Sequence, residues 1–349
     1  MSLVDVSPSY AHLAALSDEH GVFEHALLAI PRREHGYCVD DVARALIVLV
    51  REPDQTPQLA ALAEVCLRFV EDAVTADGRM HNRMAAGGTW TDDASLGDWW
   101  GRGLWALGVT AARAGSVDTR QRALTAFHLA ANERSPFGRA MAFAALGAAD
   151  VLTAFPTDLS ARALVLDGVT AIALPSDAAW EWPEPRLRYA NAVVPEALIA
   201  AGVAMDDPRM LRHGLSMLRF LVDLETGDGH LSVTGVAGRG PAQRSAQFDQ
   251  QPIEVAALAD ACARAFDITS EPEWRDVVAS AWAWFEGDND STTAMFDATT
   301  GAGFDGLESD GRNENRGAES TLAALSTYQQ ARRLQVSLRV TRAPMRVPA

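Results

Sequence analysis

The sequence contains no lysine; all 30 of its basic residues are arginines. This excludes chemistry through a lysine Schiff base, the internal aldimine of pyridoxal phosphate included. It also excludes a Walker-type phosphate loop, whose lysine reaches the nucleotide phosphates. Cysteine is scarce: Cys38, Cys66 and Cys262 are odd in number, widely spaced and in no metal-type pattern. That usage points to a reducing compartment, and a cytoplasmic location is expected. No apolar run is long enough to span a membrane. The opening MSLVDVSPSY lacks the basic-then-apolar order of a signal peptide. Bases are outnumbered by 46 acids, for a net charge of −16, which disfavours nucleic acid and anionic membranes as partners. The final stretch, ARRLQVSLRVTRAPMRVPA, is basic, and residues 336–349 read as a short tail.

Recognisable cofactor and metal motifs are missing too. The eight histidines show neither HExxH nor a metal pairing, and there is no G-x-S-x-G elbow. GRGLWALG follows no strand, so it is not a dinucleotide fingerprint. VDDVARAL matches half of a terpene-synthase acidic motif, but Arg44 stands where its third acid belongs. No cofactor and no metal are expected.

What is present is helix. With 48% hydrophobic residues and a mean hydropathy of −0.03, the chain suits a soluble protein with a large core. Apolar residues recur at three-four spacing near 40–51, 57–75, 97–114, 118–132, 136–154, 159–172, 191–204, 207–223, 249–267, 271–286 and 317–334. A less regular helix is expected over 7–29, making about twelve. Strand-like alternation is scarce; GHLSVTGVAG (229–238) reads as a small hairpin or an extended loop. No Pro- or Ser-rich linker divides the chain, so residues 1–335 read as one all-α domain.

The helices alternate in character. Odd-numbered ones are ordinary amphipathic helices with charged outer faces. Even-numbered ones open on unusual polar and aromatic text: HGYCVDDVARAL, SLGDWWGRGLWALG, RSPFGRAMAFAALG, WEWPEPRLRYANAVVPEAL, FDQQPIEVAAL and NENRGAESTLAAL. Hairpins set in a ring would give this pattern, with the special N-termini of six inner helices converging on one bowl. That architecture is the (α/α)6 toroid; an irregular bundle or an α-solenoid is the alternative.

Glycoside hydrolysis needs two carboxylates, one protonated and one ionised. Helix N-termini favour the ionised form, and apolar surroundings favour the protonated one. In AQFDQQPIEVAAL, Asp249 suits the first environment. Glu254 suits the second, because it shares a helix face with Ala257, Leu258, Ala261 and Cys262. Glu254 is therefore the candidate acid, with Asp41, Asp249 or Glu319 as base. Bland alternatives stand beside these: Asp249 as an N-cap, Asp41 paired with Arg44 at i,i+3, and Glu254 as a structural glutamate tying inner helices together. Candidate sugar-binding residues are Asp40, Asp98, Trp99, Arg102, Glu181, Trp182, Tyr189, Asn191, Gln250, Gln251, Asp305 and Asn315. Sugar rings stack on aromatic faces, and amides, acids and arginine bind hydroxyls. Trp105, Trp282 and Trp284 read as core.

WGRGLWALG, the hairpin layout and the acidic inner starts resemble the six-hairpin glycosidase superfamily. GYCVDDVARAL, FDQQPIEVAALADAC and NENRGAEST resemble a bacterial family of toroid domains found alone or fused to glycosyltransferases, over residues 30 to 335. The resemblance implies the toroid fold and a carbohydrate context, without a set reaction. The leading expectation is an inverting glycoside hydrolase or related phosphorylase acting on oligosaccharides. The alternatives are a non-catalytic glycan-binding partner of a glycosyltransferase, or a sugar epimerase. Toroid epimerases of the N-acylglucosamine type use histidines, and no histidine lies at an inner helix start here.

Overall fold

The computed structural model describes residues 8–172 and 179–336. Among these are twelve α-helices: α1 (Ala11–Ala15), α2 (Val39–Arg51), α3 (Pro57–Ala73), α4 (Asp98–Arg113), α5 (Val117–Ala130), α6 (Gly138–Ala154), α7 (Leu159–Ala171), α8 (Val193–Ala204), α9 (Pro208–Leu224), α10 (Pro252–Thr269), α11 (Pro272–Phe285) and α12 (Ala318–Arg333). The even helices form a closed ring. Each packs on the next, from α2 through α4, α6, α8 and α10 to α12, and α12 returns to α2. The odd helices stand outside: α3 on α2, α5 on α4, α7 on α6, α9 on α8 and α11 on α10. The short α1 packs on α12, so the two ends of the described chain complete the sixth hairpin. This is the (α/α)6 toroid.

The inner ring is tight because its residues are small and apolar all round. Every residue from Ala140 to Leu152 of α6 is buried, as suits a helix with no polar face. Two glycines of WGRGLWALG explain themselves here. A Cβ at Gly101 would collide with the Ala140 carbonyl, and one at Gly108 with that of Gly147. Thus α4 and α6 touch backbone to backbone. Trp105, Trp282 and Trp284 are buried in the core, as expected.

The helix expected over 7–29 does not form: among the described residues 8–29, only Ala11–Ala15 is helical. Asp18 instead accepts the N–H groups of His20 and Gly21, at 3.0 and 3.4 Å, a local turn that competes with helix. The chain then makes a two-stranded ribbon, Ala26–Leu27 against Ile30–Pro31. Of the 229–238 stretch, His230–Leu231 pairs with Thr226–Gly227, so the hairpin begins earlier than expected. The basic tail lies outside the described residues, Val336 excepted. Among the described residues, no helix is long and apolar enough to cross a membrane.

Candidate active site

The outer helices α3, α5, α7 and α9 are capped by Thr56, Ser116, Asp158 and Asp207, whose side chains accept N–H groups of the first turn. None of the six inner helices has such a cap. Five of them carry acids in the first turn instead: Asp40 and Asp41, Asp98, Glu196, Glu254 and Glu319. The free N–H groups and the positive dipole end stabilise negative charge there.

Several of these ends share a cavity of about 310 Å³. Asp40, Asp41 and Arg44 of α2 line it, with Glu319 and Ser320 of α12. Tyr189 reaches it from before α8, Gln251 from before α10, Asp305 from before α12, and Glu24 and His25 from the N-terminal segment. That segment is threaded past α12: the Ala318 N–H donates to the Glu24 carbonyl at 3.0 Å, and the Arg316 N–H to that of Leu28 at 2.9 Å.

Two arginines organise the carboxylates. Arg44 donates through Nη1 to Asp41 Oδ1 at 2.5 Å and meets Glu319 Oε2 through Nη2 at 2.7 Å. Arg102 of α4, only 2% exposed, lies 3.1 Å from Asp40 through Nε and donates through Nη2 to the Tyr189 hydroxyl at 2.6 Å. Its guanidinium sits 4.0 Å from the Phe143 ring centre. Burial pushes Asp41 up to about 7, against the opposing pull of Arg44. Burial likewise raises Asp40, with Arg102 and Arg44 opposing, and raises Asp305 and the Tyr189 hydroxyl. Asp40 keeps 21% of its side chain exposed and Glu319 34%, so both open to the cavity. Asp41 is 2% exposed and also accepts from the Cys38 thiol at 3.2 Å. Glu24, Cys38 and Asp41 bring metal-type ligand atoms within 4.8 Å of one another. Both carboxylates are already held by arginines, Arg83 and Arg44.

Other expected site residues lie elsewhere. Glu254 is 4% exposed and does not line the cavity. Its carboxylate accepts the backbone N–H groups of Ala190 and Asn191, the latter at 3.1 Å, and the Asn191 side-chain amide at 2.9 Å. Burial and the neighbouring Glu225 push it up to about 8, against those donors. Asn191, fully buried, is thereby part of the same tie between the α8 entry and α10. Gln250 is buried too, donating to Asp290 at 2.5 Å and accepting from the Trp284 indole at 3.2 Å. Asp249 is exposed and does not cap α10; the cap position is Gln251, and Pro252 opens the helix. Trp182 is 1% exposed and belongs to the core, not to the bowl. Glu181 is exposed and accepts from Ser216 of α9. Trp99 is half-buried, its indole donating to the Met80 carbonyl at 3.0 Å. Asn315 accepts the Leu28 N–H at 2.9 Å and holds the N-terminal ribbon. Asp98 is half-buried, close enough to Asp40 to raise it.

Glu24 and His25 escaped the sequence reading because their segment was assigned to a helix. Pro31 and Gly36, which bracket PRREHG, were the available signals for extended chain. Arg44 was expected only as a local partner of Asp41. Its bond to Glu319 spans 275 residues of sequence, and no local pattern reports it.

No family model and no curated protein matches the sequence. Solved structures do match in fold. A cellobiose 2-epimerase from Bacillus thermoamylovorans superposes with a TM-score of 0.72 at 10% identity, covering 94% of this chain and 96% of that one. An α-1,6-mannanase of Salegentibacter sp., in an inactive variant with two consecutive aspartates replaced and bound to α-1,6-mannotetrose, gives 0.65 at 10% identity over 93% and 96%. A cellulase of C. cellulolyticum in complex with cellobiose gives 0.63 at 8% identity over 91% and 88%. All are toroids of the six-hairpin glycosidase type, and all act in carbohydrate chemistry.

Proposed function

We propose that the protein is a glycoside hydrolase acting on oligosaccharides in the bowl. The observation that carries this is the arginine-ordered carboxylate set, Asp40, Asp41 and Glu319, on the uncapped ends of α2 and α12 at an open cavity. Asp40, raised by burial yet reaching the cavity, is assigned as the acid that protonates the leaving oxygen. Glu319, oriented by Arg44, is assigned as the base that activates water, with inversion at the anomeric carbon. Asp41 shares Arg44 and sets its position. Tyr189 and Gln251 supply a ring face and an amide for the sugar. Glu254, bound on both oxygens, is assigned to holding α8 and α10 together.

The test is incubation with a broad oligosaccharide panel, with and without phosphate, read by mass spectrometry, alongside Asp40→Asn and Glu319→Gln. Shorter products that vanish in both variants are expected. Phosphate dependence would move the assignment to a phosphorylase, and products surviving both variants would overturn it. A second reading, sugar epimerisation, is favoured by the epimerase superposition and by His25 at the cavity. It requires a product of unchanged mass, visible by NMR, that His25→Ala abolishes. A glycan-binding partner of a glycosyltransferase would bind sugar without turnover. The three free, buried cysteines support a cytoplasmic setting.

A further inference from the structure

Away from the bowl, the C-terminal halves of α2, α4, α10 and α12 line a second cavity, of about 340 Å³, with Glu196 of α8. The chain as a whole carries −16, yet five arginines line this mouth against three acids, Glu196, Asp260 and Asp267. Arg51 ends α2, Arg113 ends α4, Arg264 comes from α10, and Arg332 and Arg333 end α12. Four of them are matched by carboxylates. Arg51 meets Asp260 at 3.0 Å, Arg264 meets Glu196 at 2.9 Å, Arg332 meets Glu52 at 3.1 Å, and Arg333 meets Asp267 at 2.7 Å. Arg113 has no hydrogen-bond or ion-pair partner among the described residues. Its strongest electrostatic neighbours include Arg51, Arg264 and Arg333, with Asp150 opposing them. Arg113 is exposed at the rim of the mouth, where partial desolvation and those three cations lower its pKa. Helix C-termini attract cations, which accounts for arginines at helix ends. That attraction does not account for Arg113, exposed at the cavity with no carboxylate bonded to it among the described residues, while every other arginine of the mouth has one.

We propose that this mouth is an oxyanion site that takes a phosphate group, free or esterified to a small sugar, with Arg113 as the cation facing it. Guanidinium groups match phosphate oxygens in paired, charge-assisted hydrogen bonds. An anion there relieves the repulsion around Arg113. It also ties together the far ends of α2, α4 and α12, the helices whose near ends carry Asp40, Asp98 and Glu319. The site is separate from the bowl and does not depend on the reaction assigned there.

The test is thermal unfolding and calorimetric titration with inorganic phosphate and, separately, with glucose 6-phosphate, at constant ionic strength set with chloride. The wild-type chain is compared with Arg113→Gln and with Glu319→Gln. A ligand present at a hundredfold excess over its Kd raises the melting temperature by about 4 °C in a chain of this size. That rise is expected in the wild type and in Glu319→Gln, and is lost in Arg113→Gln. Arg113→Gln without ligand melts no lower than wild type, because the arginine it removes has no partner. Tighter binding of glucose 6-phosphate than of phosphate would make the ester the ligand; equal binding would make it the free ion. The proposal fails if the wild type shows no rise beyond the chloride control, or if Arg113→Gln keeps the rise. It also fails if Glu319→Gln enlarges the rise, because removing that carboxylate frees Arg44 to hold phosphate in the bowl.

Discussion

Arg44 of α2 reaches Glu319 of α12 at 2.7 Å across the seam that closes the ring, while its other terminal nitrogen holds Asp41 at 2.5 Å. One planar guanidinium thus sets two carboxylates in a fixed relation. A lysine in its place has a single charged centre and cannot span both with the same geometry. Arg44→Lys is expected to lower kcat by about a hundredfold, the scale of a 1 Å misplacement, with KM changed much less. Steady-state kinetics on the oligosaccharide turned over by the wild type decides it; an unchanged kcat would remove Arg44 from the positioning role.

Asp40→Asn and Glu319→Gln each remove a proton-transfer group while keeping size and shape. Each is expected to cost about 10²–10⁴-fold in kcat/KM. Circular dichroism should stay near wild type in both; the melting temperature should hold in Glu319→Gln, where Arg44 keeps Asp41, and fall in Asp40→Asn, where buried Arg102 loses its carboxylate.

Glu254→Gln should behave in the opposite way. The amide turns an N–H₂ group toward donors that the carboxylate accepted, leaving buried groups unpaired. A loss of about 1–3 kcal/mol in urea unfolding is expected, with turnover per folded molecule retained. Loss of turnover at unchanged stability would return Glu254 to the chemistry.

The pH dependence follows from raised carboxylates. Asp41 moves from 3.8 to about 7, Glu196 from 4.5 to about 7, and Glu254 from 4.5 to about 8. Burial is the largest cause in each. A raised folded pKa favours folding at low pH, and that contribution is lost as pH rises through the folded value. The melting temperature should therefore fall between about pH 5 and 8 on account of these groups. His12, lowered by burial, acts in the opposite sense below its ordinary value, so the informative comparison is with Asp41→Asn, whose fall should be shallower. Parallel curves for the two proteins would contradict the Asp41 shift.

Gly101→Ala would place a methyl group against the Ala140 carbonyl of the neighbouring inner helix. Overpacking of this kind costs about 1–3 kcal/mol. Gly115→Ala, where a Cβ meets nothing within 4 Å, serves as the control. Equal stability of the two variants would mean that α4 and α6 separate freely.

The helices from α2 onward, and their division into inner and outer, were legible because helical periodicity and uniform apolarity are local properties. An amphipathic helix such as α9 announces one solvent face, and an all-apolar helix such as α6 announces none. The acidic inner starts were legible for the same reason, since dipole and free N–H groups act within one turn. The failure over 7–29 was also local: the Asp18 turn is a short side-chain-to-backbone device that periodicity does not weigh.

Which acids meet at the bowl was decided only by tertiary structure. Glu254 and Glu319 both sit in the first turn of an inner helix, and sequence pattern treats them alike. Their fates differ because Glu254 finds the amides of Ala190 and Asn191, more than 60 residues away, while Glu319 finds Arg44 and open space. Sequence alone thus determined the helical layers and which ends were charged. The folded ring determined which charges are neutralised by donors from other hairpins and which are left facing solvent, because burial and long-range partners, not helix position, set what a carboxylate can do.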